Sequence, residues 1–164
     1  MPAVPGATSP ADTLSEEQKA ARTLIDLLNQ EQALLIAADI DALPMVTERK
    51  APVVALMSEL ATRRHRALAG TGLPASEAGM QEWVAARQNG KPLHGVAGVA
   101  WNVLLAMARQ AQEINRINGL LITTHLSRNQ AALSVLRVQN GSGNLYGPDG
   151  QSASRGMGRG LVVG

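Results

Sequence analysis

The side chains best suited to proton transfer or metal ligation near neutral pH are His65, His94 and His125. None has a second histidine or a carboxylate at the three- or four-residue offset that puts two ligands on one face of a helix, so zinc chemistry has no foothold here. Cysteine is absent, which removes thiol nucleophiles, thiolate metal sites and disulfides together and agrees with a reducing compartment. Gly141, Gly143 and Gly147, then Gly156, Gly158 and Gly160, superficially resemble a phosphate loop. Such a loop needs a strand before it and a helix after it, and the surrounding residues promise neither. Arg155 and Arg159 lie among those glycines without a stacking aromatic nearby, too little for nucleic-acid binding. With no nucleophile and base grouped together, an enzyme is the least favoured class, and neither cofactor nor metal is expected.

Two features point to binding instead. Tyr146, the only tyrosine of the chain, stands in NLYGPDG, where no periodic apolar pattern offers it a core. It either anchors a partner or packs back on the preceding helix beside Leu145. Asn118-Gly119 is a turn-favouring dipeptide inside EINRINGLLITTHL, whose pattern is helical. Either the glycine is tolerated at a cost of about 1 kcal/mol against alanine, or its missing side chain admits a close helix or gives local freedom for partner exchange.

The elements that must carry these residues follow from composition and period. The 164 residues suffice for one domain, and 45% of them are apolar with no Phe, one Tyr and two Trp, so Leu, Ile, Val, Met and Ala must build the core. That composition suits packed helices better than sheets. The charge is +2 and spread along the chain. No apolar run approaches 18 residues and the first residues resemble no signal peptide, so neither membrane insertion nor secretion is expected.

Residues 1–12 read as a disordered tail rich in Pro and small residues. A first helix should run from Thr13 to about Ala38, and Asp41 should cap a second that places Pro44 in its first turn and reaches about Ala69, with Pro52 interrupting it. Along that second helix Glu48, Arg49, Lys50, Glu59, Arg63, Arg64 and Arg66 fall largely on the solvated side. Ser76 should cap a short helix to about Gln88, NGKPLHG breaks the chain, and a long helix of roughly 60 Å follows from Val96 to about Gln139. Trp83 and Trp101 should pin the short helix to the long one. Residues 140–164 read as a flexible Gly-rich tail. The expectation is all-α: an elongated antiparallel helical bundle or coiled-coil hairpin over residues 13–139, with one long C-terminal helix and disordered termini.

In order along the chain, LIDLLNQEQALL, ADIDALPMVTERKAPVVALMSELATRRHRAL, EINRINGLLITTHLSRNQAALSVL and LYGPDG resemble the FlgN family of flagellar export chaperones. The most distinctive pieces are the Lys50 to Arg64 spacing, the box Asn115, Asn118 and Gly119, and the Tyr146-Gly147-x-Asp149-Gly150 tail. The resemblance implies a cytoplasmic, non-enzymatic chaperone of type III flagellar export. It would bind the C-terminal segments of the hook-filament junction proteins FlgK and FlgL and deliver them to the cytoplasmic domain of the export-gate protein FlhA. On this reading Ile117, Leu121, Ile122, Leu126, Leu133 and Leu136 supply the client groove, and Tyr146 docks on the export gate. The rivals are a self-associating structural coiled coil, whose apolar face is covered by a homo-oligomer, and a chaperone for a different secretion substrate.

Overall fold

The computed structural model describes residues 8–142. Its architecture is all-α: α1 Leu14–Ile36, α2 Leu43–Gly70, α3 Glu77–Ala85 and the long C-terminal α4 Gly95–Ser142, with a two-residue hairpin of β1 Arg87–Gln88 and β2 Lys91–Pro92 between α3 and α4. The chain divides into two compact units, Met1–Thr123 and Thr124–Gly164.

Helix α1 begins earlier in effect than its first residue. Residues 8–12, assigned to the tail by composition, include a turn in which Ser9 N–H donates to Asp12 Oδ2 and Asp12 N–H to the Ser9 carbonyl. The turn delivers Thr13 to the N-cap, and a short polar loop that satisfies its own backbone this way needs little apolar burial to stay ordered. Both α1 and α2 close with a left-handed residue and a matching pair of backbone bonds. In α1, Ala38 (φ 56°) holds that position while Ala38 N–H donates to Leu35 O and Asp39 N–H to Leu34 O. In α2 it is Gly72 (φ 82°), with Gly72 N–H to Ala69 O and Leu73 N–H to Leu68 O.

Two sequence-based boundaries shift and one expected interruption is absent. The N-cap of α2 is Ala42, without a side-chain bond, rather than Asp41, because Pro44 within the first turn already presets the helical φ. Pro52 lies inside α2 and the helix continues past it; its side chain is exposed. Helix α3 is capped by Ser76 as expected, Oγ accepting from Gly79 N–H at 3.2 Å, but it stops at Ala85. The reason is the Asn89-Gly90 turn, whose residues both take positive φ (51° and 79°) and pair Arg87 with Pro92 and Gln88 with Lys91.

The core of the first unit joins all four helices. Leu14 and Ala21 of α1, Leu68 of α2, Met80 and Trp83 of α3, and Trp101 and Leu104 of α4 form one buried cluster, so the two tryptophans do tie the short helix to the long one. A second cluster, Ile25, Leu28 and Ala111, continues along α1 and α4. Gly79 permits the approach of α3 to the preceding loop: a Cβ there would lie 1.9 Å from the Pro74 carbonyl oxygen. In the second unit the described residues are the end of α4, and no large apolar side chain among them is buried.

Candidate functional site

The charged residues assigned to the solvated side of α2 include two that lie on its packed face, Arg64 buried and Lys50 half-buried. Arg64 is 7% exposed; its Nε donates to Glu17 Oε1 at 3.0 Å and its Nη2 to Glu17 Oε2 at 3.2 Å. Thr13 Oγ1 donates to Glu17 Oε1 at 2.7 Å, and the Arg64 guanidinium lies 4.8 Å from the Trp101 ring centroid. This first clasp joins α1, α2 and α4. Its geometry explains the burial: a paired charge can leave water where a lone one cannot. Among the described residues Arg64 Nη1 and Trp101 Nε1 are buried without a hydrogen-bond partner, a cost the clasp carries.

A second clasp repeats the plan further along. Lys50 Nζ sits 2.6 Å from Glu31 Oε1, and Asn118 Nδ2 donates both to Glu31 Oε2 and to the Leu28 carbonyl, each at 2.9 Å. Again α1 supplies the acid, α2 the base and α4 the third member. Glu17 and Glu31 are fourteen residues apart on α1, and Lys50 and Arg64 are fourteen apart on α2, so both pairs fit one antiparallel register. Sequence reasoning placed Lys50 and Arg64 on the solvated side; the available signal was their spacing, matched on α1 by two glutamates.

Among the candidate residues, Asn118 is 1% exposed and belongs to the second clasp, whereas Asn115 and Gly119 face outward. A Cβ on Gly119 would meet no described atom within 4 Å, so none of the described helices packs into that space. Ile117 and Leu121 are half-buried in the first unit and Ile122 is exposed. In the second unit Leu126, Leu133 and Leu136 are 57%, 58% and 54% exposed. Tyr146 lies outside the described residues. Sequence reasoning did not anticipate a groove between α2 and α4 in the first unit. Two cavities of about 350 Å³ each adjoin there, sharing Met57 and Ala108, with Lys50 lining one and Arg64 the other.

The histidines do not converge. His94 stacks on Trp83 with ring centroids 3.7 Å apart, and His65 lines the cavity beside Arg64. Among the described residues no group of His, Asp and Glu could hold a metal ion, and no helix is long and apolar enough to cross a membrane. What the geometry offers is a clasped scaffold with apolar side chains left uncovered on its last helix.

The model of the FlgN protein family matches residues 1–154, nearly the whole chain. The chain belongs to the FlgN family. It is 28% identical over 144 residues to the flagella synthesis protein FlgN of Proteus mirabilis, covering 85% of this chain and 87% of that protein. It is likewise 28% identical over 143 residues to the flagella synthesis protein FlgN of Yersinia enterocolitica, covering 85% and 86%. No solved structure matches. FlgN-family membership makes this a flagellar synthesis protein of a family that is not a known enzyme family, and its helical bundle suits the chaperone role that the sequence motifs suggested.

Proposed function

We propose that this FlgN-family chain is a cytoplasmic flagellar export chaperone that holds the C-terminal segments of the hook-filament junction proteins FlgK and FlgL and passes them to the export-gate protein FlhA. The observation that carries the reading is the exposure of Leu126, Leu133 and Leu136 on a helix, in a protein whose relatives are named for flagella synthesis. Leucines at this spacing form a stripe on which an amphipathic client segment can lay its own apolar face. Ile117, Leu121 and Ile122, in the first unit, are the other proposed client contacts, and Tyr146 is the proposed gate contact. Ordering a client segment costs several kcal/mol of the gross interaction, which keeps the affinity moderate and release feasible.

Calorimetric titration of the full chain with the C-terminal peptides of FlgK and FlgL from the same organism tests this. Saturable binding with a negative heat-capacity change, lost on Leu133→Ser/Leu136→Ser substitution in a folded protein, is the expected result. Absence of heat and of competition at high peptide concentration sinks it. The same leucines support self-association as a second reading, which sedimentation over a range of concentrations distinguishes. Secretion assays with Tyr146→Ala test the gate contact: unchanged client export removes it.

A further inference from the structure

Charge is distributed unevenly along this chain. Up to Glu113 there are ten Lys and Arg against twelve Asp and Glu; from Ile114 onward there are five Arg, no Lys and a single acid, Asp149. Arg116 is held by Glu113, with Nη2 to Oε1 at 2.7 Å. Over residues 124–139 the only formal charges are therefore Arg128 and Arg137, and both are exposed on the helix that exposes Leu126, Leu133 and Leu136. Arg137 follows Leu133 by four residues, which places it beside the leucines on the helix surface, whereas Arg128, nine residues before Arg137, faces the opposite side of the helix.

We infer that this end of α4 selects an amphipathic segment of another protein whose apolar positions are flanked by Asp or Glu. The inference rests on the proposed client-holding role and adds the chemistry of the client. Charge argues against the other occupants. A second copy of the same segment offers no acid to answer Arg128 or Arg137, because residues 124–139 contain none, and in parallel register it sets arginine against arginine. A membrane-surface helix carries a polar face rich in Lys and Arg; here two arginines stand among Ser, Gln and Asn, and there is no Trp, Phe or Tyr to anchor in the headgroups. An acidic client gains attraction along the leucine stripe, where arginines are also enriched among interface anchors.

The test uses the full chain and two designed amphipathic peptides with identical leucines at three- and four-residue spacing, flanked in one by glutamates and in the other by lysines. The glutamate peptide should bind roughly tenfold tighter at low salt, and its advantage should shrink as ionic strength rises. Arg137→Glu should invert the preference and Arg128→Glu, on the opposite face, should change it less, while Leu133→Ser/Leu136→Ser should weaken both peptides. Equal affinity for the two peptides, with FlgK or FlgL binding still sensitive to the leucines, overturns the inference and leaves the client-holding reading intact. Insensitivity of every peptide to the leucines overturns both. A stable dimer that excludes the peptides, or capture by phosphatidylglycerol vesicles in preference to the glutamate peptide, overturns the inference in favour of a second copy or a lipid surface.

Discussion

Of the three Asn-Gly dipeptides in the chain, those at 89–90 and 118–119 do opposite things. At 89–90 both residues take left-handed φ and reverse the chain between two short strands. At 118–119 both lie in α4, with Asn118 buried against Glu31 and Leu28 and Gly119 open to solvent. Local preference decides the first, where the residues following α3 offer little competing apolar pattern. Tertiary contact decides the second: the helical register of Ile114, Asn118 and Leu121 outweighs the turn preference of two residues. In the hairpin the glycine matters; in the helix the asparagine does.

That contrast can be broken at four points. Asn118→Asp has the largest expected effect, because it removes the amide donors and sets a second carboxylate against Glu31; a loss of about 3 kcal/mol in chemical denaturation is expected. A loss under 1 kcal/mol means the clasp is incidental. Gly90→Ala places a Cβ at φ 79° and should cost about 1–2 kcal/mol, visible as loss of hairpin amide protection before global unfolding. Gly119→Ala should raise stability by about 0.8 kcal/mol, since nothing described obstructs the added methyl. If client affinity falls in that same variant, the glycine serves a partner's close approach. The pair of helix ends, Ala38 and Gly72, sharpens the rule with the smallest effect: Ala38→Gly should stabilise by about 0.5 kcal/mol by relieving a left-handed alanine, read from the thermal midpoint.

Much of the fold was legible because apolar period and capping chemistry are local. Leu14, Ala21, Ile25, Leu28 and Leu35 mark the buried face of α1, and Ser76 announces α3. The inward-drawn charges were not legible from residue type, which favours water, although Lys50 lies four residues from Val46 and Arg64 four from both Leu60 and Leu68, on the packed stripe of α2. Only the glutamates of α1, nineteen residues from Lys50 and forty-seven from Arg64, draw them in. The hairpin escaped notice because strands of two residues have no alternation to read. For the candidate site, spacing identified the apolar residues of α4 without saying which are covered. Leu121 and Ile122 are adjacent in sequence, and the first is half-buried while the second is exposed.

The two clasps also act as an alignment gauge for the α1–α2 hairpin. Leucine-rich helices slide past one another at little cost, because one heptad resembles the next. With two ion pairs fourteen residues apart on both helices, a seven-residue slip in either direction brings one glutamate opposite Met57, stranding a carboxylate beside a thioether. A fourteen-residue slip can retain at most one pair. Only one alignment engages both, so a misregistered hairpin is marked by its own unpaired charge.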